Sequence, residues 1–261
     1  MTNTPILVLV HTPDLGEAIS ANADGFQLQW TLDFQQYRQR GQEQVVVAQV
    51  ADLHPALIII ELDTPSPWLP IVHSDPATRR IPIIAIATDD AARRRAEEAK
   101  ANLTVSPEEF LAGLPEIITE NAKIFHQQDE LAAQCQNPPP PLVLKGLHEF
   151  NQQEFFECHE TLEAAWNAES GPVRELYRAI LQVGIAYYQI QRHNYPGGRK
   201  MFLRMVQWFA PLPDHCQGID VAQLRADADA ARAHLEALGP DRIGEFDMSL
   251  LKPIKYTEPE S

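Results

Sequence analysis

Residues 57–60 read Leu-Ile-Ile-Ile, an unbroken apolar run of strand length between Pro55 and Glu61. Two similar runs, residues 6–10 and 83–86, stand on either side of it along the chain. Strands that are apolar on both faces belong in a parallel sheet covered by helices on both sides. These three runs therefore predict a buried parallel sheet in the first half of the chain.

Helix signals separate the apolar runs. Pro13 and Asp14 precede residues 15–22, and residues 89–100 are rich in charged side chains. Residues 106–109, Ser-Pro-Glu-Glu, combine a cap, a proline in the first turn and acids at the positive helix end. The alternation predicts an α/β fold with a flavodoxin-like, doubly wound sheet. Residues 43–53 fit either a strand or a helix packed on that sheet.

Four consecutive prolines, residues 138–141, mark the clearest boundary, because they cannot continue a helix and favour an extended segment. We expect residues 1–124 to form the α/β domain and residues 125–141 to form a helical extension and proline-rich linker. Residues 142–245 are expected to form an all-helical domain, and residues 246–261 a loosely ordered tail.

The second half shows helical periodicity throughout. Apolar side chains recur at helical spacing within four segments, residues 155–166, 173–191, 197–209 and 221–238. Turns between them are supplied by Gly171-Pro172 and by Pro196-Gly197. These segments predict a helical bundle built from helix-turn-helix hairpins.

The composition narrows the function classes. Lys and Arg number 21 and Asp and Glu number 36, which gives a formal net charge of −15 and disfavours both nucleic-acid and anionic-membrane surfaces. The N-terminus lacks the basic region of a signal peptide. The three cysteines form no CxxC motif and cannot all pair, so we expect no disulfide framework. The chain is therefore predicted to be a cytoplasmic, reduced protein without nucleic-acid or membrane partners.

The first half resembles response-regulator receiver domains, in the segments 55–65 (PALIIIELDTP) and 74–88 (SDPATRRIPIIAIAT). The resemblance implies a phosphorylation site, but the sequence departs from that pattern. His11 and Thr12 stand where the family has two acids, and Glu61 occupies the phospho-acceptor position, with Asp63 two residues later. Thr88 matches the family's hydroxyl residue.

No lysine follows the expected fifth strand, where Val105, Ser106 and Pro107 stand. Without paired carboxylates and this lysine, the region of Glu61, Asp63 and Thr88 lacks ligands for Mg²⁺ and a cation for phosphoryl oxygens. The sequence therefore predicts a degenerate, phosphorylation-independent receiver domain that serves for docking or self-association. A generic flavodoxin-like domain with decayed chemistry is the alternative.

The second half contains a sharper motif in residues 155–166, FFECHETLEAAW. On a helix, His159 and Glu163 are four residues apart and Trp166 lies on the same face. An imidazole and a carboxylate at this spacing can bind one divalent metal ion, or act as a base with its orienting partner. Two ligands fall short of the three or four that zinc takes in proteins.

This motif resembles the HxxxExxW hallmark of the domain of unknown function numbered 309, and the resemblance spans residues 144–210. It implies a metal or small-ligand site at His159, Glu163 and Trp166, without an established reaction. The alternative is structural: Arg174, Arg178 and Gln182, spaced by four, could neutralise Glu163 from the neighbouring helix.

Two function hypotheses remain open from the sequence, so whether the chain is an enzyme remains open as well. The first is a metal-binding or small-ligand activity in the helical domain, coupled to the receiver-like domain. The second is a non-enzymatic adaptor whose helical hairpins bind a protein or peptide. A third convergent ligand beside His159 favours the first hypothesis, and a closed, arginine-neutralised network favours the second.

Overall fold

The computed structural model describes residues 4–30, 43–62, 66 and 68–257. The chain divides into two compact units, Met1–Ile124 and Phe125–Ser261. Among the described residues, no helix is both long enough and apolar enough to cross a membrane.

The first unit contains a five-stranded parallel sheet with the order β2-β1-β3-β4-β5. Its strands are β1 (Thr4–Leu9), β2 (Phe26–Trp30), β3 (Leu57–Glu61), β4 (Ile83–Ile86) and β5 (Leu103–Val105). The helices are α1 (Pro13–Asn22), α2 (Glu43–Leu53), α3 (Leu69–Ser74), α4 (Asp90–Glu98), α5 (Pro107–Ala112) and α6 (Leu114–Asn121). This strand order is the flavodoxin-like, doubly wound one, so the predicted fold class is confirmed.

Alternation along the strands builds a separate core on each face of the sheet. Leu7, Ile58 and Ile60 pack on one face with helices α2, α3 and α4. Ile6 and Ile59 pack on the other with helices α1, α5 and α6. Residues 43–53, which the sequence left open between strand and helix, form helix α2, and Val46, Val47 and Val50 bury its inner face.

The described part of the second unit is mainly helical and includes a two-stranded hairpin. Its helices are α7 (Gln128–Cys135), α8 (Pro141–Asn151), α9 (Phe155–Ala168), α10 (Arg174–Gln191), α11 (Tyr195–Phe209) and α12 (Val221–Leu238). Strands β6 (His215–Cys216) and β7 (Ile219–Asp220) pair antiparallel. Helices α8 to α11 pack consecutively around Phe150, Phe155, Tyr187 and Phe202, whose rings contact one another. The predicted helical bundle is confirmed.

The prediction that no disulfide forms is wrong in this structure, because Cys135 and Cys216 are joined. Both sulfurs belong to the buried core of the second unit, and the cysteines are 81 residues apart in sequence. Helix α7 buries Leu131 in the same core, and Gln134 accepts a hydrogen bond from the backbone N–H of Val173 at 2.9 Å. Residues 125–141, which we expected to form a helical extension and proline-rich linker, are therefore part of the helical unit.

The C-terminal segment also differs from the expected loose tail. Phe246, Leu251 and Ile254 are buried in the helical core. Asn151 exchanges two hydrogen bonds with the backbone of Ile254, at 3.0 and 2.7 Å. Tyr256 pairs with Ile219 as an antiparallel bridge. Buried apolar side chains thus anchor the segment, which the structure describes as far as Thr257.

Candidate functional site

The phospho-acceptor position of the receiver-like unit holds Glu61, at the carboxyl end of β3. Strand β1 is its neighbour in the sheet, so the β1–α1 loop lies beside it. Glu61 Oε2 accepts hydrogen bonds from the backbone N–H groups of His11 at 3.1 Å and Thr12 at 3.0 Å. Its Oε1 accepts from the Thr12 hydroxyl at 2.5 Å. The side chain is buried, with 7% of the residue exposed, and both of its oxygens are engaged.

These bonds give Glu61 a structural role at the start of helix α1. Thr12 is the N-cap of α1, yet its own side chain makes no capping bond, and the carboxylate of Glu61 binds its backbone N–H instead. A negative charge beside a helix N-terminus is also stabilised by the helix dipole. Nδ1 of His11 lies 3.2 Å from Oε2 and adds a further polar contact on the exposed side.

The other positions of a receiver site are used differently here. Thr88 follows β4 and is exposed. Ser106 follows β5, where the family resemblance implies a lysine, and forms a capping box with Glu109 at the start of α5. Asp63, the remaining acid of the predicted region, lies outside the described residues. Arg95 of α4 donates to the backbone carbonyl of Leu62 at 2.9 Å.

In the helical unit, the structure places the three motif residues on helix α9 with different exposures. His159 and Trp166 are half-buried, and Glu163 is exposed. Within the described part of the chain, the side chains of His159 and Glu163 form neither a hydrogen bond nor an ion pair with each other. Their spacing of four residues allows contact on a helix. At the surface, however, an ion pair is hardly more stable than two separately solvated groups, so little free energy favours the contact.

The described part of the chain contains no group of three or more His, Cys, Asp or Glu side chains arranged to hold a metal ion. His159 and Glu163 would supply two ligands, whereas protein zinc sites take at least three. The residues present therefore do not fit a resident zinc ion.

Trp166 is the motif residue that the structure connects to other side chains. The guanidinium carbon of Arg174 lies 4.8 Å from its ring centroid, and that of Arg178 lies 4.4 Å from it. The Arg178 guanidinium also lies 3.7 Å from the ring centroid of Trp208, on helix α11. Arginine over an indole face is a favourable cation–π contact. We call Trp166, Arg174, Arg178 and Trp208 the Trp166 cluster.

The Trp166 cluster leaves buried polar atoms without partners. Neither Nε1 of Trp166 nor Nε of Arg174 has a hydrogen-bond partner, although both atoms are shielded from solvent. Gln182, one turn along α10 from Arg178, is buried, and its Oε1 also lacks a partner. Arg174 and Arg178 thus pack on Trp166 rather than pairing with Glu163, which departs from the neutralising role considered for them.

A second aromatic contact lies at the opposite end of the α9–α10 pair. Phe156 is 46% exposed, and its ring centroid lies 5.9 Å from that of Tyr188. Arg192 lies over the Tyr188 ring and donates to its hydroxyl at 3.0 Å. Both contacts involve exposed side chains.

Cys158, next to His159 in sequence, is not a nucleophile in this arrangement. Its side chain is fully buried, and burial, followed by the nearby charge of Glu149, raises the pKa of the thiol well above its usual range. The reactive form of cysteine is the thiolate, which such an environment suppresses.

Sequence reasoning missed Trp208 and the backbone donors of residues 11 and 12. Trp208 lies on α11 and is separated from Trp166 by the whole of helix α10, and its sequence signal was a lone tryptophan near the end of an amphipathic helix. Backbone N–H groups carry no sequence signal of their own.

With this geometry in hand, the helical unit can be compared with known proteins. Residues 143–201 match the family model described as Domain of unknown function (DUF309). The match confirms the resemblance drawn from the HxxxExxW motif. His159, Glu163, Trp166, Arg174, Arg178 and Gln182 all lie within it, whereas Trp208 follows it.

An uncharacterized protein of Aquifex aeolicus (strain VF5) is 25% identical over 104 residues, which are 40% of this chain and 29% of that protein. The matched segment therefore spans less than a third of this relative. The description of the relative names no activity.

Two response regulators are among the similar solved structures. The Mn(2+)-bound form of Rcp1 is 13% identical, covers 47% of this chain and 97% of its own, and has a TM-score of 0.35. The phosphorylated cyanobacterial phytochrome response regulator RcpA is 16% identical, covers 46% and 91% of the two chains, and has a TM-score of 0.33. The receiver-like character of the first unit rests on its own strand order.

Proposed function

We propose that this chain is a two-domain binding protein in which the receiver-like domain works without phosphorylation and the helical domain binds a small ligand beside Trp166. The first half of the proposal follows from Glu61, whose carboxylate is engaged by the β1–α1 loop. If the receiver-like domain is not phosphorylated, a regulatory signal has to reach the protein at another site.

The observation that carries the second half is the unpaired indole N–H of Trp166. A buried donor without a partner costs free energy, and proteins keep such groups where a ligand or a water satisfies them. The arginines stacked on the ring add charge and planar surface beside that donor. A small ligand at this position accounts for the tryptophan of the motif better than a metal ion at His159 and Glu163 does.

A screen of the full-length protein tests this proposal. Thermal melts are recorded with a library of small metabolites and with divalent metal ions. We expect at least one metabolite to raise the melting temperature of the parent. Trp166→Phe, which keeps an aromatic ring but removes the N–H, should reduce that increase. Trp30→Phe, in the other unit, is the matched control. A library without a stabilising compound, or hits that respond equally to both variants, would contradict the proposal.

The adaptor is the second candidate function. Phe156 and its contact with Tyr188 favour it, because an exposed aromatic pair on a helix face is typical of surfaces that bind another chain. In this version the receiver-like domain contributes a protein-docking or self-association surface. Loss of a co-purifying or self-associated species on Phe156→Ser would support it.

A further inference from the structure

We propose that the ligand of the Trp166 cluster is a small anion, bound through a carboxylate or phosphate group by Trp166 and Arg174. This inference rests on the proposed function and names the chemical class of its ligand. It depends on the unpaired donors, the charge at the start of helix α10 and the way in which Arg174 covers the indole.

The unpaired nitrogen atoms of Trp166 and Arg174 are both donors. Indole Nε1 and guanidinium Nε carry an N–H and cannot accept a hydrogen bond. Both atoms are buried without a partner, and the two side chains are in contact, since the guanidinium carbon lies 4.8 Å from the ring centroid. The group that satisfies them has to bring acceptor oxygens. Carboxylates and phosphates match a guanidinium best, because their oxygens can accept parallel N–H bonds.

The charge at this end of α10 also favours an anion. Arg174 is the first residue of α10 and Arg178 follows one turn later, both near the positive end of the helix dipole. Cations are disfavoured at this position, and these two lie over the same indole ring. Glu175 is the one acid of the first turn, and it lies about 100° around the helix from Arg174. The first backbone N–H groups of α10, those of residues 174, 175 and 176, bond to carbonyls of the preceding turn, so the unpaired donors at this end are side-chain groups.

A ligand reaches these donors if Arg174 turns outward. Both nitrogen atoms are shielded from solvent, but Arg174 as a residue is half-buried and stands at the start of its helix. We infer that rotation of its long side chain away from the face of the Trp166 ring makes room for an anion beside the two donors. Binding therefore changes the surroundings of the Trp166 indole N–H directly.

The indole N–H resonances of the ¹⁵N-labelled full-length protein provide the test. Trp166→Phe identifies the Trp166 signal by its disappearance. Inorganic phosphate and succinate are titrated separately at constant ionic strength, with chloride as the reference anion. We expect a saturable shift of the Trp166 signal with phosphate, with succinate or with both. A response to one of the two assigns the ligand group as phosphate or carboxylate.

Variants of two arginines on the same helix separate a site from a general charge effect. Arg174→Gln should weaken anion binding roughly tenfold or more, since it removes a charge-assisted bond. Arg174→Lys, which keeps the charge but not the Nε donor, should fall between Arg174→Gln and the parent. Arg192→Gln, which removes a guanidinium at the far end of α10, should bind like the parent. Melting curves establish that each variant is folded.

No saturable shift with either anion, or equal binding by the parent and Arg174→Gln, would overturn the inference. The proposed function fails separately. If neither anion shifts the Trp166 resonance, but the stabilisation by a compound from the thermal screen depends on Trp166, the ligand is of another class. If no compound acts there at all, the ligand site itself is absent.

Discussion

Replacing Glu61 separates its structural role from any role as a phosphate acceptor. Glu61→Met keeps the length of the side chain but leaves the N–H groups of His11 and Thr12 and the Thr12 hydroxyl without their acceptor. Each unsatisfied donor costs about 1–3 kcal/mol. Because water reaches this loop, we take the lower part of the range and expect Glu61→Met to lower the free energy of unfolding by roughly 2–4 kcal/mol.

Glu61→Gln should cost less. Its amide oxygen can accept from the two backbone N–H groups, and its NH₂ can donate to the Thr12 hydroxyl, so the bonds persist without their charge. We expect a loss of about 1–2 kcal/mol. Differential scanning calorimetry of the full-length protein measures both variants, and Thr88→Ala, at an exposed position after β4, is the control.

For a unit of this size, Glu61→Met should lower the melting temperature of the receiver-like transition by roughly 10 °C. We expect the melting temperature of Thr88→Ala to be close to that of the parent, that of Glu61→Gln to be lower, and that of Glu61→Met to be the lowest. If Glu61→Met has the same melting temperature as the parent, the hydrogen bonds from the β1–α1 loop do not stabilise the domain. The structural interpretation of Glu61 is then wrong.

Three further variants test separate parts of the structure. Cys135→Ser removes a disulfide between residues 81 apart in sequence and should lower the free energy of unfolding, measured by urea denaturation, by up to about 4–5 kcal/mol. If the parent protein has the same urea midpoint with and without reductant, the bond to Cys216 is refuted. Ser106→Ala removes a capping box and should cost about 1 kcal/mol, measured in the same way. Burial, followed by the charge of Lys123, lowers the pKa of His54 to about 4 in the folded protein. The unfolded chain therefore takes up a proton first, so stability is full above about pH 6.5 and falls towards pH 4 by up to about 1.4 kcal/mol per unit. His54→Asn, which tolerates the φ of 43° at this position, should flatten that profile, and an unchanged slope would exclude His54 as its source.

Strong periodicity made several elements predictable. Residues 83–86 and 221–238 have the same bounds in the sequence prediction and in the structure, because the buried positions of both runs are apolar apart from Arg232. Strand β2, Phe26–Trp30, was missed, since its glutamines and its place at the sheet edge leave little apolar signal. For helix α7 the sequence predicted only a helical extension without bounds, because the helix is short and polar.

The candidate site shows where spacing stops being informative. HxxxExxW correctly placed His159, Glu163 and Trp166 along one side of α9. Spacing does not determine rotamers, however, and the contacts are made by Trp166 with Arg174 rather than by His159 with Glu163. Long-range contacts, such as the disulfide of helix α7 and the position of Trp208, depend on packing between helices that the local pattern does not encode.

The central claim is that the receiver-like domain does not carry a phosphoryl group. The most direct test is to incubate the full-length protein with acetyl phosphate and Mg²⁺ and to measure its intact mass. Because Glu61 is engaged by the β1–α1 loop and Ser106 stands in place of the lysine, we predict no stoichiometric phosphate adduct. A stoichiometric adduct that disappears in Asp63→Asn would contradict the account.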